Sequence, residues 1–463
     1  MGKITFNRFD LGIDLRKGAS VSDANRLREM KNAFVTTGLA TQKRPGLVKV
    51  AMLEPGTKGM VAALGKLNTF YGEGAINHAD ARFKANKVKK NLAEAPVVDV
   101  PFADVFNGFI YAAVDYGTEI VHHYLDGTAE SYIADINCPD TAAVLKLASK
   151  VFAVSQDGAT VKYCKTGAPR DWTTANDAGF LPTGLNARGD RSTNALGVYQ
   201  SKLVALARDG AQVWTVDPDP TKMALDDMVE NVGSSFPRSL ATVAGDLYFL
   251  SDFGFRSITT LQLVSKLADV DIGSPIDKLV RLKVRNLPAP PRSVYYYGSG
   301  QYMCFIGDEV FVYSVSRTAK VAAWSRYVMP FAIDAVAELQ GVLYLRSGDN
   351  VYKFAEDVFT DDGAPYEAML ELPYMDFKLP GNLKQIYGAD LVMDGECHFS
   401  IGFDVRDAAA VTDEVRVIGN TRGGGMIPIE ICGTEFSLRF RNATSQPFQL
   451  DAVTIYFNDL GPT

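Results

Sequence analysis

Between about residues 105 and 355 the chain repeats short β patterns in which neither face of the strand is polar. Gly341-Val342-Leu343-Tyr344-Leu345 and Val310-Phe311-Val312-Tyr313 are two such runs. Others are Ile110 to Val114, Val151 to Ser155, Leu203 to Ala207, Leu247 to Leu250, Val310 to Val315 and Val342 to Leu345. An antiparallel sheet with one wet face alternates apolar and polar residues. Hairpin-linked strands that are apolar on both sides therefore require sheets covered on both sides. The hairpin links are explicit: Asp126-Gly127, Asp157-Gly158, Asp209-Gly210, Gly245-Asp246 and Gly307-Asp308 border these runs, and both positions of a tight hairpin turn need positive φ. Stacked propeller blades meet the requirement, because each small sheet is walled by its neighbours. A sandwich would wet one face of each sheet. The turn landmarks recur unevenly, every roughly 30 to 60 residues, a density that suits about five to eight degenerate blades without fixing their number.

Beyond Asp361-Asp362-Gly363-Ala364-Pro365 the pattern changes. Strands are expected over Glu367 to Phe377, Ala389 to Met393, Cys397 to Phe403, Glu414 to Ile418, Ser437 to Arg441 and Ala452 to Phe457. In Phe436-Ser437-Leu438-Arg439-Phe440-Arg441 apolar residues take one face and polar ones the other, as in one side of an antiparallel sandwich. At 463 residues the chain exceeds the size at which a single core keeps growing. The division expected is an N-terminal segment 1–55 that packs on the propeller or pairs with the C-terminal domain, a propeller 56–360, and a sandwich-like domain 361–463. The fold class is all-β with few short helices. Ser274-Pro275 reads as an N-cap with Pro at the first helical position, opening a helix from Ile276 to about Arg285. A second, weaker helix is expected from Ser22 to Lys31, then a strand Asn32 to Val35 and a basic turn Thr41 to Gly46.

Charge and cysteines bound the function. The net charge of −7 disfavours tight DNA binding, which draws on phosphate neutralisation by Lys and Arg; brief contact with passing DNA remains open. Cys138, Cys164, Cys304, Cys397 and Cys432 are scattered and never form a Cys-x-x-Cys pair, as expected of free thiols in a reducing cytoplasm. With four histidines and no ligand spacing, no metal site or cofactor is expected. The sequence start, Met1-Gly-Lys-Ile-Thr-Phe6, has no apolar signal core, and Phe6 occupies the place where myristoylation wants Ser or Thr. No apolar run approaches the ~20 residues that span a bilayer, so no membrane insertion is expected.

No catalytic group emerges. His122 and His123 are adjacent on a strand and point to opposite faces, so they cannot share a metal. Asp217-Pro-Asp-Pro220, followed by Asp226-Asp227, lacks the central Gly and distal Glu of a calcium loop and reads as a rigid connector. Ser155-Gln-Asp-Gly158 is a near miss of the Asp-box of propeller glycosidases and reads as a hairpin turn. No pair of carboxylates is singled out for glycoside cleavage, and neither a nucleophile elbow nor a phosphate loop occurs. Gly423-Gly424-Gly425 lies between strands, so it opens no helix that could cradle a phosphate. Arg188-Gly189-Asp190 reads as a surface turn. One basic run stands out: Arg82, Lys84, Lys87, Lys89 and Lys90. Its plainer reading is a solvated loop or an edge strand whose lysines block unwanted pairing. Its functional reading is contact with DNA phosphates or an acidic partner.

Several phrases, in order, resemble the propeller-bearing tail proteins of short-tailed phages, known as tail nozzle, tail tubular protein B or head-completion stabilisation proteins. They are Asn32-Ala-Phe-Val-Thr-Thr-Gly38 leading to Lys43-Arg-Pro-Gly46, Gly167-Ala-Pro-Arg-Asp-Trp172, and Asn176-Asp-Ala-Gly-Phe-Leu181. Next come Leu203 to Ala207 with Gln212-Val-Trp214 and Asp217-Pro-Asp-Pro220, then Gly254-Phe-Arg-Ser257, Trp324 and the Val342 to Phe354 hairpin. Lys384-Gln-Ile-Tyr-Gly388, Gly419-Asn-Thr-Arg422 and Gly433 to Arg441 complete the set; residues 60 to 105 carry least of it. The resemblance implies a non-enzymatic virion protein assembled in the host cytoplasm. It implies a homo-hexameric ring beneath the portal adaptor, next to other tail proteins, stabilising packaged DNA and forming part of its exit channel. Contact with the exiting double-stranded DNA is expected to be transient. The rival expectation is a β-propeller enzyme or adhesin acting on host-surface glycan.

Overall fold

The computed structural model describes residues 2–186, 192–231, 233–259 and 271–462; the tripeptide Arg188-Gly189-Asp190 lies outside them. Among these residues, seven small sheets stand in a circle. Blade one holds Lys58–Ala63, Lys66–Tyr71 and Phe83–Lys87; blade two Asp99–Phe106, Phe109–Asp115 and Ile120–Leu125. Blade three holds Val144–Leu147, Lys150–Val154, Val161–Tyr163 and Gly179–Leu181. Blade four holds Thr193–Tyr199, Lys202–Ala207, Gly210–Thr215 and Ala224–Glu230. Blade five holds Ala241–Val243, Asp246–Ser251 and Gly254–Ser257. Blade six holds Arg292–Tyr296, Gln301–Ile306, Glu309–Ser316 and Val321–Val328. Blade seven holds Ala335–Leu339, Val342–Ser347 and Asn350–Ala355. The first strand of each blade contacts the first strand of the next, and that of blade seven contacts that of blade one. The circle is closed, and the fold is a β-propeller.

The doubly apolar strands explain the circle. In Phe109–Asp115, Ile110, Ala112 and Val114 enter the core shared with blade one, while Tyr111 and Ala113 enter the core shared with blade three. Leu203 and Ala205 face blade three; Val204 and Leu206 face blade five. Val310 and Val312 face blade seven; Phe311 and Tyr313 face blade five. Period-2 alternation thus feeds two cores from one strand. The hairpin between Ala241–Val243 and Asp246–Ser251 needs both of its turn residues at positive φ, and Ala244 (51°) and Gly245 (88°) supply it.

Gly46–Met52 closes the ring. It pairs antiparallel with Asn350–Ala355 and is the fourth strand of blade seven, although it precedes blade one in the chain. The rest of the N-terminal segment joins the C-terminal module. Gly2–Phe6 pairs with Phe448–Pro462, and Glu29–Lys31 lies between Val321–Val328 of blade six and Ala368–Glu371.

The C-terminal module is built around one long strand, Asn382–Gly402. Its first part pairs with Phe448–Pro462, and after Gly395 it pairs with Ser437–Asn442 and Val415–Ile418. The stretches expected as separate strands, Ala389 to Met393 and Cys397 to Phe403, are therefore one strand that turns a corner. Gly395 has φ 82°, and a Cβ there would stand 2.0 Å from the Pro447 carbonyl oxygen, so only glycine fits the corner. The two halves carry two sheets whose inner faces share one core, with Leu391, Val453 and Ile455 on one side and Phe399, Leu438 and Phe440 on the other.

Two helical expectations are corrected. Ser22 to Lys31 forms no helix; a 3₁₀ turn spans Ala19–Val21, and Glu29–Lys31 is a strand. Strand partners contributed by Arg326 and by Met369 to Glu371 override the local helical spacing, while Leu27 and Met30 are both fully buried. The helix after Pro275 exists, as Asp277–Val284, but Ile276 is its N-cap and the Ser274 hydroxyl makes no capping bond. Among the described residues no helix is long and apolar enough to cross a membrane.

Candidate functional site

Thr41 to Gly46 is not an exposed basic turn. Thr41–Lys43 is a strand paired with Ala33–Val35 and with Phe448–Pro462, and Gly46–Met52 then enters blade seven. Where the first strand ends, Lys43 and the following Arg44 are wholly buried. Buried cations need complete partnering, and these have it. Arg44 donates to both Asp361 carboxylate oxygens, at 2.9 and 2.5 Å, and its Nε donates to Asn32 Oδ1 at 3.0 Å. Its Nη2 also reaches the Val328 carbonyl of blade six at 3.3 Å, and the Tyr366 ring covers the guanidinium at 3.9 Å. Lys43 Nζ donates to Asn442 Oδ1 at 2.8 Å and to the Thr444 carbonyl at 2.6 Å in the C-terminal module. Burial, then the neighbouring Arg44 charge, lower its pKa to about 8 against the pull of Asp361 and Glu396. This dipeptide ties blades six and seven to the C-terminal module.

The basic run lies at the rim of blade one. Phe83–Lys87 is the outer strand there and pairs in parallel with Lys66–Tyr71. Arg82 grips Asp80 at 2.5 Å and the Val50 carbonyl at 2.9 Å. Lys87 grips Glu94 at 2.5 Å and the Gly74 carbonyl at 2.7 Å. Lys90 grips Glu119 at 3.0 Å and Thr118 Oγ1 at 2.8 Å. Lys84 is exposed, and Lys89 is half-buried, its charge helping to lower the Glu94 pKa after Lys87 and the Gly74 amide. Three of the five cations thus sit on carboxylates, which reduces the field the run can present to a phosphate. The sequence carried these counter-charges at Asp80, Glu94 and Glu119, but not their pairing.

His122 and His123 face opposite sides of blade two. His122 accepts from the Tyr111 hydroxyl (2.7 Å), donates to the Thr141 carbonyl (3.0 Å) and lies 3.3 Å from Cys138 Sγ. His123 contacts Tyr116 and Ser131 at 3.2 and 3.0 Å. A thiol beside an imidazole resembles a nucleophile with its base. Here burial lowers the His122 pKa to about 4 and raises that of Cys138 far above its ordinary value. Both groups stay neutral near pH 7, opposite to what an activated thiolate needs. Asp217-Pro-Asp-Pro220 links two strands of blade four, with Asp219 capping the 3₁₀ turn Pro220–Lys222 through the Thr221 amide. Ser155 to Gly158 turns the hairpin between Lys150–Val154 and Val161–Tyr163. Among the described residues no three His, Cys, Asp or Glu side chains converge as metal ligands.

Sequence reasoning missed the propeller axis. A cavity of about 420 Å³ there is lined by the first strands of blades one, two, six and seven together with Arg238. Asp99, the first residue of its strand, accepts from Arg292 at 2.9 Å and from Arg238 at 2.5 Å. Burial alone would raise the Asp99 pKa; the two guanidinium groups outweigh it and hold the pKa below the usual carboxylate value. Asp99 belongs to blade two, Arg292 to blade six, and Arg238 to the segment entering blade five, so the ion pairs form a bar across the axial channel. Separations of 139 and 193 residues leave no spacing signal in the sequence.

No protein-family model matches the chain, and no curated protein matches it in sequence. Among solved structures it is similar to the Myceliophteria thermophila Cps50 (Swd1) β-propeller domain, at 10% identity and TM-score 0.44, over 66% of this chain and 98% of that one. The Neurospora crassa Pan2 WD40 domain aligns at 9% identity and TM-score 0.37, over 71% and 89%. Virginiamycin B lyase from Staphylococcus aureus aligns at 11% identity and TM-score 0.35, over 58% and 90%. All three similarities are distant; the first two are to β-propeller (WD40-like) domains, and none identifies a family.

Proposed function

We propose that the chain is a structural component of a phage tail, forming part of the DNA exit channel and stabilising packaged DNA. The observation that carries this reading is the bracing of the propeller to the C-terminal module. Phrases that resemble the nozzle and head-completion proteins meet there: Asn32 and Arg44 bond to each other, and Lys43 reaches Asn442, next to Arg441. A rigid two-module unit suits a part that bears load inside a particle. The net charge of −7 suits a conduit that must release DNA. On this reading the propeller's own axis is not the path, because the Asp99 bar spans it. The duplex would run through the centre of a ring of copies, six on the family resemblance, closed by heterologous contacts and seated on the portal adaptor. The test is imaging of the intact particle with this chain located. Density for a ring on the tail axis is expected; a peripheral position overturns the proposal.

A second reading, a propeller enzyme or adhesin acting on host-surface glycan, is favoured by one observation. A cleft of about 670 Å³ between blades six and seven presents the rings of Phe34, Tyr296 and Phe354 beside Gln42 and Gln301. Aromatic faces with amide groups suit sugar rings. Cleavage or saturable binding of capsule or lipopolysaccharide, lost in Tyr296→Ala, would favour this reading over the first.

A further inference from the structure

The bar across the propeller axis is unevenly charged. One carboxylate, Asp99, serves two guanidinium groups, and its Oδ1 also accepts the Val100 amide at 2.7 Å. Among the described residues Arg238 donates side-chain hydrogen bonds only through Nη1, and Arg292 only through Nη2. Each guanidinium carries five N–H donors. Both residues line the cavity, and their side chains keep 13% and 16% of their surface exposed. The other charged side chain of the lining, Glu338, acts on Tyr296, the last residue of Arg292–Tyr296, and so lies toward the opposite end of the cavity; Asp115 acts on Arg238 from outside the lining. The first strands of the blades are sheet edges, but the Val100 amide is taken by Asp99 and the Ser293 amide by the Arg238 carbonyl, so the guanidinium groups are the donors the cup offers.

We propose that this axial cup binds a small multivalent oxyanion, gripped by Arg238 and Arg292 above Asp99. Guanidinium forks match the paired oxygens of phosphate and of carboxylate alike. The volume of about 420 Å³ suits a small molecule and admits no polymer duplex. The cup is independent of the tail assignment and would serve a ring component or an adhesin equally.

The test is calorimetric titration of the intact chain with inorganic phosphate and, separately, with citrate, each compared with sodium chloride at the same ionic strength. Saturable binding of one or both anions to a single site is expected. Arg292→Met should weaken it by about tenfold or more, the loss of one charge-assisted contact. That variant should fold, because Arg238 still neutralises Asp99 at 2.5 Å. Asp99→Asn removes the competing negative charge and should tighten binding, which a purely structural bar would not do. Absence of saturable binding, equal affinity in Arg292→Met, or no gain in Asp99→Asn would overturn the proposal. Should Arg292→Met fail to fold, the Asp99→Asn comparison decides alone.

Discussion

Arg44 has no exposed surface, and every direction of its guanidinium is occupied: Asp361, Asn32, the Val328 carbonyl and the Tyr366 ring. Removing it leaves Asp361 buried without its ion-pair partner, because among the described residues its carboxylate otherwise accepts only from the Leu47 amide at 3.1 Å. Breaking a buried pair costs about 3–5 kcal/mol. Arg44→Ala should therefore lower stability to denaturant by about that amount, and Arg44→Lys, which lacks the planar fork, should recover only part of it. Asp271 makes a different prediction. Burial pushes its pKa from 3.8 to about 6; Arg256, at 2.5 Å, opposes this, and Asp277 on the same guanidinium adds to it. The native state therefore holds a proton that the unfolded chain has released between these pH values. Its stabilising contribution is complete below 3.8 and is lost as pH rises through about 6. Asp271→Asn cannot titrate, so the melting temperature of the variant minus that of the wild type should increase from about pH 4 to about pH 7. A difference that is flat or falls across that range counts against the assignment.

At the scale of elements, the strands that were legible in the sequence are those whose two faces both meet a core. Phe109–Asp115 and Glu309–Ser316 have no polar side because each is packed between two blades. Strands whose partners come from far away were not legible. Met30 pairs with Leu370, and Lys31 with Met369 and Arg326, so the local spacing of Leu27 and Met30 looked helical and misled. A corner was missed for another reason. Ala389 to Met393 and Cys397 to Phe403 read as separate strands, yet the chain continues through Gly395 and merely changes sheets. Positive φ signals a turn of the backbone without saying whether the strand ends. Gly395→Ala should cost about 2 kcal/mol or more, the strain of a left-handed residue plus a clash with the Pro447 carbonyl. Chemical denaturation checks this, with Gly65→Ala for comparison; that site also has positive φ (73°) but no atom within 4 Å of the added methyl. A similar loss at both positions would show that strain alone, without the corner contact, sets the cost.

For the whole molecule, burial of charge was the least legible property. Lys43-Arg44-Pro45-Gly46 has the composition of a surface turn, and nothing local marks it as the place where three parts of the chain meet. Its position has a thermodynamic consequence. The outer strand of blade six continues through Glu29–Lys31 into Ala368–Glu371 and Ser437–Asn442, so one sheet runs from the propeller into the C-terminal module. One hydrophobic core likewise includes Phe255 and Trp324 of blades five and six with Leu370 and Phe440 of that module. The strand that closes the ring, Gly46–Met52, belongs to the same N-terminal segment that braces the module. Two-module proteins commonly unfold in separate steps. Here neither module keeps its edge, its core or its closing strand when the other melts. Scanning calorimetry of the intact chain should thus show one transition with matching calorimetric and van't Hoff enthalpies. Leu47→Ala, which trims a fully buried side chain of the closing strand at a cost of about 2–5 kcal/mol, should shift that whole transition downward. A variant thermogram split into an early propeller step and an unshifted later one would show that the shared sheet does not couple the two modules.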